Sequence, residues 1–502
     1  MGGGTAGWTA AAMLNRKLGG HCSIHVVDTP EALSPGHAEV TLPTVLELVR
    51  FLGLDQNDFI DKTQSTYSLA TRFIDWPAIG ESFWHGRGTL GALIERRPFY
   101  HFWHKGRALG LKPRLEAFST EVSFAQANRF IFPGNSLGVA QHLRYALHTD
   151  SALLARYLRS AAERGGVIRL ERKVVSATRR EDGGLDELQF EDGGSLRADL
   201  FIDCTGARSQ LLGEILGVEW QDWNQWLPCD RETSFAAPLA DVRPPYVQIN
   251  ALPAGWRWRM PLQQAMSVGQ VYSSAEQTDD AALAELLAAA GAEPLTEPKR
   301  REIRAGRREA CWRHNVVAVG DAFGALDPLV GTDHHMISNT VFNLLDHFPD
   351  RQFDQANIAS FNAGLCDEFE RIRDFTLLHY VARRDDSGLW RERAALPAEL
   401  AQRMQHYRAT GRVVLQKPEL FTDLDWFWVF EGMGITPADY DPLVDTVDYE
   451  QVKRVMVAIS QKVAADTSAA PTHDSFFAAA NARLAGMRRG AGGTAATASP
   501  AT

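Results

Sequence analysis

The chain opens with a glycine-rich turn that restricts the folds it can adopt. Gly2, Gly4 and Gly7 stand at G-x-G-x-x-G spacing, an alanine-rich helical stretch follows to about Leu18, and an apolar run then ends at Asp28. Such a turn lets the helix N-terminus approach a pyrophosphate, and a carboxylate about 20 residues further on can bind a ribose hydroxyl. The pattern predicts a dinucleotide-binding βαβ unit.

The hydrophobic strand that usually precedes such a turn is absent before Gly2. In a βαβ unit this strand is central and buried on both faces. We therefore expect a misplaced start codon or a shortened chain, and a natural chain of this length should bind its dinucleotide less well.

Later segments repeat the pattern of strand and turn. Asp150 or Ser151 can cap a helix that closes at Gly165, and a strand is predicted from Val167 to Thr178. A hairpin of Leu185 to Phe190 and Leu196 to Ile202 then runs into Asp203-Cys204-Thr205-Gly206.

A third junction follows the apolar run from Val316 to Val319, which ends in Gly320-Asp321-Ala322. Asp321 can bind a ribityl hydroxyl, and the helix expected there can point its N-terminus at a phosphate or a flavin. Three such junctions in this order predict a two-layer flavoprotein.

Composition narrows the class of protein further. The 502 residues are 45% hydrophobic and 23% charged, as in a soluble globular protein with a sizeable core. A net charge of -10 argues against binding to nucleic acid or to anionic membranes.

The five cysteines form no C-x-x-C pair, so neither a disulfide framework nor a metal site is expected. We find no export signal or membrane span, and predict a cytoplasmic protein.

Several longer segments resemble one known family. They are Gly2 to Trp8, Leu200 to Gly206, Asp222-Trp223 with Trp226 to Arg231, Gly255 to Gln263, and Gly432 to Ile435 with Tyr440 to Asp445. The fourth segment meets a W-x-W-x-I-P signature with Met260 in place of isoleucine. Together they resemble the flavin-dependent tryptophan halogenases, within the FAD-dependent monooxygenases, over nearly the whole chain.

The resemblance implies an α/β fold in which a Rossmann-type FAD-binding module of the GR2-like flavin monooxygenase kind is interleaved with a mixed sheet and a largely helical substrate module. The boundaries expected for the FAD-binding module are 1–45, 145–230 and 300–345, and those for the substrate-binding module are 46–144, 231–299 and 346–487. Residues 488–502 are rich in glycine, alanine, threonine and serine, which predicts a disordered tail.

The resemblance also implies the cofactor and partners. It implies FAD used as FADH2, a separate NAD(P)H-dependent flavin reductase, a small aromatic substrate and a homodimer. No second nicotinamide-binding fingerprint is apparent, which agrees with a separate reductase. The cofactor-binding residues expected are Gly2, Gly4, Thr5, Ala6, Gly7, Asp28, Gly206, Asp321, Pro328 and Thr332.

The sequence departs from the family where halogenation needs side chains. A segment resembling T-F-K-L-G-I-R-F puts Ser68 in the place of the family's lysine, and a serine cannot form a haloamine. A segment resembling E-P-L-E-S-T-G puts Val330 in the place of a glutamate and Asp333 after Thr332. An ionised carboxylate close to a halide costs about 1–4 kcal/mol, so halide binding should be weakened or lost. Lys62 is a conceivable substitute amine.

The candidate catalytic residues are Ser68, Glu39, His334 and Asp333. Glu39 lies in A-E-V-T-L-P, which resembles a G-E-A-T-I-P loop near the flavin, and its alternative is an ordinary loop carboxylate. His334 and His335 could act as acid or base with Asp333 orienting them, or could be a helix cap and a packed side chain.

The substrate-binding residues expected are Trp256, Trp258, Phe83, Tyr100 and Trp103, with core packing as the alternative for the first two. The sequence therefore predicts an FAD-dependent monooxygenase that oxygenates an indole, phenol or pyrrole. A halogenase with non-standard catalytic residues is the first alternative, and a degenerate, non-catalytic flavoprotein is the second.

Overall fold

The computed structural model describes residues 1–29, 37–111, 113–133, 138–381, 383, 388–390, 395–415, 417 and 419–479. The predicted tail, 488–502, lies outside the described residues. The α-helices are α1 Thr5–Leu18, α2 Val45–Phe51, α3 Gln56–Lys62, α4 Phe99–Ala108, α5 Thr120–Gln126, α6 Ser151–Arg164, α7 Asp279–Ala290, α8 Asp333–Asp346, α9 Gln355–Val381, α10 Ala398–Thr410, α11 Asp423–Gly432 and α12 Tyr449–Ala469.

The strands of the first half are β1 His25–Asp28, β2 Ala38–Val40, β3 Thr66–Ser68, β4 Ala70–Ile74, β5 Ser82–Gly86, β6 Ala146–Asp150, β7 Ile168–Glu171, β8 Val174–Arg179, β9 Leu185–Phe190, β10 Ser195–Arg197 and β11 Phe201–Asp203. Those of the second half are β12 Trp220–Asp222, β13 Arg231–Ala237, β14 Tyr246–Leu252, β15 Gly255–Pro261, β16 Met266–Tyr272, β17 Lys299–Glu302, β18 Gly306–Arg308, β19 Trp312–Arg313, β20 Val316–Ala318 and β21 Gly324–Ala325.

Helix α1 and strand β1 of the predicted βαβ unit are present, and no strand precedes α1 among the described residues. Strands β1 and β7 pair in parallel, as do β11 and β20. Between them, the Met1 carbonyl accepts a hydrogen bond from the Cys204 amide, and the Gly2 amide donates to the Val27 carbonyl, each at 2.8 Å. The small side chains of α1 let it pack against α6 and α8, and Asp150 caps α6 as the sequence predicts.

Two strand predictions are wrong in extent. The stretch from Val167 to Thr178 forms two strands, because β7 pairs with β1 whereas β8 pairs with β9 in another sheet. The strand expected from Leu196 to Ile202 is likewise divided, because β10 continues the hairpin with β9 and β11 joins β20. Periodicity cannot reveal a change of partner within one apolar run.

The helix expected directly after Val319 begins only at Asp333. The chain first forms two 3₁₀ turns and the short strand β21. Gly331, at φ 67°, lies in the left-handed region just before α8 and ends the second of these turns. A Cβ at Gly331 would lie 2.6 Å from the Val40 carbonyl oxygen, so this turn and β2 are in close contact.

A seven-stranded mixed sheet lies beside the βαβ unit, with the order β17-β13-β16-β15-β14-β4-β5. Only the β14–β4 pair is parallel, and the other pairs are antiparallel. One face of this sheet, which we call the inner face, is defined by four side chains. Val247 is the register partner of Thr71, and Ile249 is that of Trp258. Val247 and Ile249 alternate along β14, so all four side chains point to the same face. The inner face is turned toward α8.

Candidate functional site

A broad cleft follows the glycine turn at the N-terminus of α1. The cleft has a volume of about 620 Å³ and is lined by Gly2, Gly3, Gly4, Asp28 and Thr205. Six basic side chains complete its wall: Arg156, Arg159, Arg169, Arg172, Lys173 and Arg208. The sequence analysis missed these cations because α6, β7 with its following loop, and the turn after β11 contribute them separately.

The glycines of the turn have different structural roles. A Cβ at Gly7 would lie 1.8 Å from the Gly2 carbonyl oxygen, and a Cβ at Gly2, where φ is 107°, would lie 2.2 Å from that of Cys204. Nothing lies within 4 Å of the corresponding position at Gly4. Gly2 and Gly7 are therefore required by the packing of the turn, whereas Gly4 keeps the cleft open at the helix N-terminus.

The other residues expected to bind the cofactor surround this cleft less directly. The Asp28 carboxylate lines it but forms an ion pair with Arg169, at 2.9 Å between Nε and Oδ1. The Thr5 hydroxyl donates to the Ser151 carbonyl at 3.2 Å. Ala6 packs near Gly320, and Gly206, at φ 67°, forms the turn next to Thr205.

A second, narrow cavity of about 40 Å³ lies between the inner face, the start of β2 and the start of α8. It brings together five residues that the sequence analysis selected: Glu39, Trp256, Trp258, Pro328 and Asp333. His37, Glu232 and Arg301 also line it. Thr332 is buried directly before Asp333, and the Arg301 guanidinium lies 4.0 Å from the Asp321 carboxylate, so these two predicted residues adjoin the cavity.

Glu39 and His334 form a partly buried ion pair at this cavity, with 2.8 Å between Oε2 and Nε2. Burial opposes the charge of Glu39, but His334, together with His37 and Ser151, outweighs burial and holds the pKa of Glu39 well below its usual range. Burial also opposes the charge of His334, yet Glu39 raises the pKa of the imidazole above its ordinary value. Glu39 is therefore charged at neutral pH, and its carboxylate favours the cationic form of His334. His335, in contrast, contacts Glu368 at 3.0 Å, on the other side of α8.

Asp333 carries a carboxyl group that titrates near neutrality. Burial, and then the negative charges of Glu39 and Asp321, raise the pKa of Asp333 to about 7, with Arg301 opposing them. Arg301 is itself bound to Glu232, at 2.8 Å between Nη2 and Oε2. The carboxyl group at the start of α8 can therefore hold or release a proton at neutral pH.

A hydrogen-bonded cluster behind this cavity was not predicted. Trp256 Nε1 donates to Asp327 Oδ2 at 3.2 Å and lies 3.1 Å from the Tyr380 hydroxyl, which also donates to Asp327. Burial raises the pKa of Asp327 to about 6, against these hydrogen bonds. Tyr380 comes from the end of α9, more than a hundred residues away along the chain, and no local pattern pointed to it.

Ser68 is fully buried at the end of β3, and its hydroxyl has no hydrogen-bond partner among the residues that the structure describes. Lys62 is exposed at the end of α3 and does not line the narrow cavity. Lys105, on α4, forms an ion pair with Asp445, with 2.9 Å between Nζ and Oδ1. Neither lysine therefore supplies an amine at the position of Ser68.

A third cavity, of about 580 Å³, opens along the edge strand β5. It contains two of the predicted substrate residues, Phe83 and Trp103, together with Trp84 and Trp428. Tyr100 lies outside this cavity, because its ring stacks on Phe427 with 4.6 Å between centroids.

The fold of this chain is shared by known proteins. The profile of the tryptophan halogenase family matches residues 1–449. The chain belongs to the tryptophan halogenase family. The tryptophan 7-halogenase RebH of Lentzea aerocolonigenes is 30% identical over 478 residues, which cover 87% of this chain and 89% of RebH.

Two solved structures of the family are similar over almost their whole length. Xcc4156, a flavin-dependent halogenase from Xanthomonas campestris, is 34% identical with a TM-score of 0.91, covering 95% of this chain and 96% of its own. BrvH, a flavin-dependent halogenase from Brevundimonas sp. BAL3, is 35% identical with a TM-score of 0.90, and the match covers 95% of this chain and 98% of BrvH. These matches confirm the predicted fold class, and with the family profile they identify the chain as an oxidoreductase.

The chain thus belongs to a flavin-dependent family, and the lining of the cleft suits a ligand that carries phosphate groups. The open position at Gly4 and the surrounding cations fit a pyrophosphate at a helix N-terminus. Over the described ranges, no helix is long and apolar enough to span a bilayer. The same residues contain no group of three His, Cys, Asp or Glu side chains suited to hold a metal ion.

Proposed function

We propose that this chain is an FAD-dependent monooxygenase that oxygenates a small aromatic substrate of the indole, phenol or pyrrole type. The observation that carries the proposal is Ser68: a neutral hydroxyl is buried where the resemblance expects the lysine that positions the halogenating oxidant. Val330 and Asp333 depart from the family pattern in the same direction. Transfer of oxygen needs neither an amine nor a halide site.

The residues of the cleft support a role for FAD as the bound group. Gly4 and the six cations would hold the pyrophosphate, and Trp258 and Pro328 would wall the flavin ring where the narrow cavity begins. Reduced FAD, supplied by a separate NAD(P)H-dependent reductase, provides an electrophilic oxygen from O2. The protein contributes binding, orientation and the exclusion of water, for which the buried inner face is suited.

The charged groups at the cavity suit proton transfer during oxygenation. His334 is held as a cation by Glu39, and can stabilise negative charge that develops near it. Asp333, with a pKa raised to about 7, can take up the proton that leaves the oxygenated carbon. Above that pKa its carboxylate would repel a halide in the same space.

Halogenation is the second candidate function, and the relatives favour it. RebH, Xcc4156 and BrvH are all named as halogenases, and they match most of this chain. Below its raised pKa Asp333 becomes neutral while His334 stays charged, which would make the cavity more acceptable to an anion. A halogenase of this kind would work without the lysine.

Product mass separates the two functions. The full chain is incubated with FAD, a flavin reductase, NADH, bromide and a panel of indoles, phenols and pyrroles, with catalase to remove free peroxide. We expect products heavier by one oxygen atom, and no bromine isotope pattern. Brominated products would overturn oxygenation in favour of halogenation. Failure to bind FAD and to form any product would support a non-catalytic flavoprotein.

We also propose the module boundaries stated above, a homodimer and a cytoplasmic location. The interleaving of β2, β6 and α8 between the cleft and the mixed sheet supports a discontinuous FAD-binding module. Light scattering of the purified chain would test the dimer.

A further inference from the structure

Arg87 follows the edge strand β5, and no carboxylate of a described residue lies within 4.0 Å of its guanidinium. Its Nη2 donates to the Thr71 hydroxyl at 3.2 Å. Its Nε is shielded from solvent and has no hydrogen-bond partner within the described part of the chain. Most buried arginines of globular proteins are paired with an acid, because an isolated buried charge is costly.

The nearby acid is already engaged by other groups. Asp425 Oδ1 contacts His85 Nε2 at 2.9 Å, and Oδ2 accepts from both the amide and the hydroxyl of Thr422 at 2.8 Å. Asp425 therefore adds attraction at a distance but no acceptor for Arg87. Burial lowers the pKa of Arg87 to about 10, with Asp425 opposing it, so the side chain stays charged at neutral pH.

Arg87 lies on the same face as the narrow cavity. Val247 and Ile249 line that cavity, and Val247 is the register partner of Thr71 on β4. Register partners point to one face, and neighbouring strands lie about 4.8 Å apart. The hydrogen bond from Arg87 to Thr71 therefore places the guanidinium on the inner face, beyond Val247. The Arg87 amide donates to the Leu69 carbonyl at 2.8 Å, which brings the chain at Arg87 beside Ser68.

Two fully buried side chains in this region also have a polar atom without a partner among the described residues. Ser68 Oγ and His148 Nε2 make no hydrogen bond to any described residue. Ser68 and Thr66 alternate along one face of β3, and His148 is the register partner of Thr66, bound to its hydroxyl through Nδ1 at 3.0 Å. Burial, and then the charges of His473 and Arg87, keep the pKa of His148 well below its usual value. Unpartnered buried polar atoms call for an explanation, and a polar ligand beside Arg87 would supply one for both of these.

We propose that Arg87 binds a carboxylate carried by the aromatic substrate, so that the enzyme acts on aromatic acids in preference to neutral arenes. The planar guanidinium can offer Nε and a terminal nitrogen to the two oxygens of a carboxylate. Ser68 and neutral His148 would supply further polar contacts beside it. This inference rests on the proposed function only in taking an aromatic compound as the substrate.

Equilibrium binding tests the inference without turnover. Indole-3-carboxylate and indole-3-carboxamide have nearly the same shape but differ in charge, and their affinities for the full chain are measured by calorimetry. We expect the carboxylate to bind about tenfold or more tightly than the carboxamide, a difference of about 1.4 kcal/mol. In Arg87→Gln this preference should disappear, and Arg87→Lys should keep part of it because a point charge remains.

Arg72 provides the matched control. It lies on β4, one residue from Thr71, on the opposite face of the sheet, with its guanidinium 5.5 Å from the centre of the Trp84 ring. Arg72→Gln should keep the preference for the carboxylate. Circular dichroism and the melting temperature establish that each variant is folded, and Arg87→Lys keeps the test valid if Arg87→Gln does not fold.

Three results would overturn the inference. The first is equal affinity of the unaltered chain for the two probes, and the second is an unchanged preference for the carboxylate in folded Arg87→Gln. The third is displacement of indole-3-carboxylate by millimolar bromide in the unaltered chain but not in Arg87→Gln, which would make this a halide site. The outcome is distinguishable from that of the proposed function. Brominated products together with a retained preference for the carboxylate would end the proposed oxygenation and leave this inference standing.

Discussion

The cleft at the N-terminus of α1 and the narrow cavity are built in different ways. The cleft depends on one contiguous turn of glycines, whose backbone geometry admits few alternatives. The narrow cavity collects side chains from β2, β14, β15, β17 and α8. Side chains can be replaced without a change of fold: Ser68 and Val330 depart from the family pattern and are well buried, although neither lines the narrow cavity. Chemistry can therefore diverge in one region while the other is retained.

The largest effect is expected in the cleft, from Gly7→Ala. Its new Cβ would meet the Gly2 carbonyl oxygen at 1.8 Å, so the turn must shift. We expect the free energy of unfolding of the FAD-free protein to fall by about 3 kcal/mol, the upper range for overpacking. Gly4→Ala, with open space around it, should leave that stability unchanged but weaken FAD about tenfold or more. Urea unfolding and flavin fluorescence measure the two effects.

Equal destabilisation by Gly7→Ala and Gly4→Ala would show that the turn is not held by the packing described here. Gly20→Ala, also in open space but outside the cleft, is the control for the substitution itself.

The next effect concerns two tryptophans of the narrow cavity that differ in their hydrogen bonds. Trp256→Phe removes the donor to Asp327 and should cost about 1–3 kcal/mol, because a buried acceptor loses a partner. Trp258 Nε1 has no partner in the described ranges, so Trp258→Phe should cost less. Chemical denaturation of both variants makes the comparison. A larger loss for Trp258→Phe would contradict it.

A smaller, pH-dependent effect is expected from Glu39→Gln. The raised pKa of His334 gives stability that is complete below its ordinary value of 6.5 and is lost as pH rises through the folded pKa. The lowered pKa of Glu39 gives stability that is present above its ordinary value of 4.5 and is lost as pH falls through the folded pKa. The pair therefore contributes most between those two values.

Glu39→Gln should remove this contribution, and histidine NMR should show the pKa of His334 falling. Urea unfolding across the same pH range measures the stability, with Glu47→Gln, an exposed carboxylate of α2, as the control. An unchanged titration of His334 would rule out the ion pair as the cause of its shift.

The smallest effect is expected from Ser68→Ala. Its hydroxyl makes no hydrogen bond to a described residue, so its removal should change the unfolding free energy by less than about 0.5 kcal/mol. Thr66→Val, in the same strand and equally buried, removes a hydrogen bond of 2.6 Å to the Pro261 carbonyl and should cost about 1–3 kcal/mol. Similar losses in the two variants, measured by thermal unfolding, would indicate an unrecognised partner for Ser68.

The sequence predicted what depends on local pattern. The turn from Gly2 to Gly7, the cap of α6 at Asp150 and the hairpin at β9 follow from short-range chemistry, and the structure contains them. The late start of α8 was missed, because Gly331 and its contact with Val40 decide it. The contact of Asp327 with Tyr380 joins segments 53 residues apart, and that of Arg87 with Thr71 depends on the pairing of β4 with β5, so neither follows from a local pattern.

The six cations around the cleft have a consequence for how a flavin would arrive. Five of them are already paired with carboxylates, so an incoming dinucleotide must compete with those carboxylates as well as with small anions from solution: Arg159, Arg169, Arg172, Lys173 and Arg208. Capture should therefore slow and weaken as ionic strength rises, even if every contact in the final complex is the same. Reduced flavin that diffuses freely can react with oxygen before this protein binds it. The salt concentration would then help to set the fraction of reduced flavin that the protein binds in time.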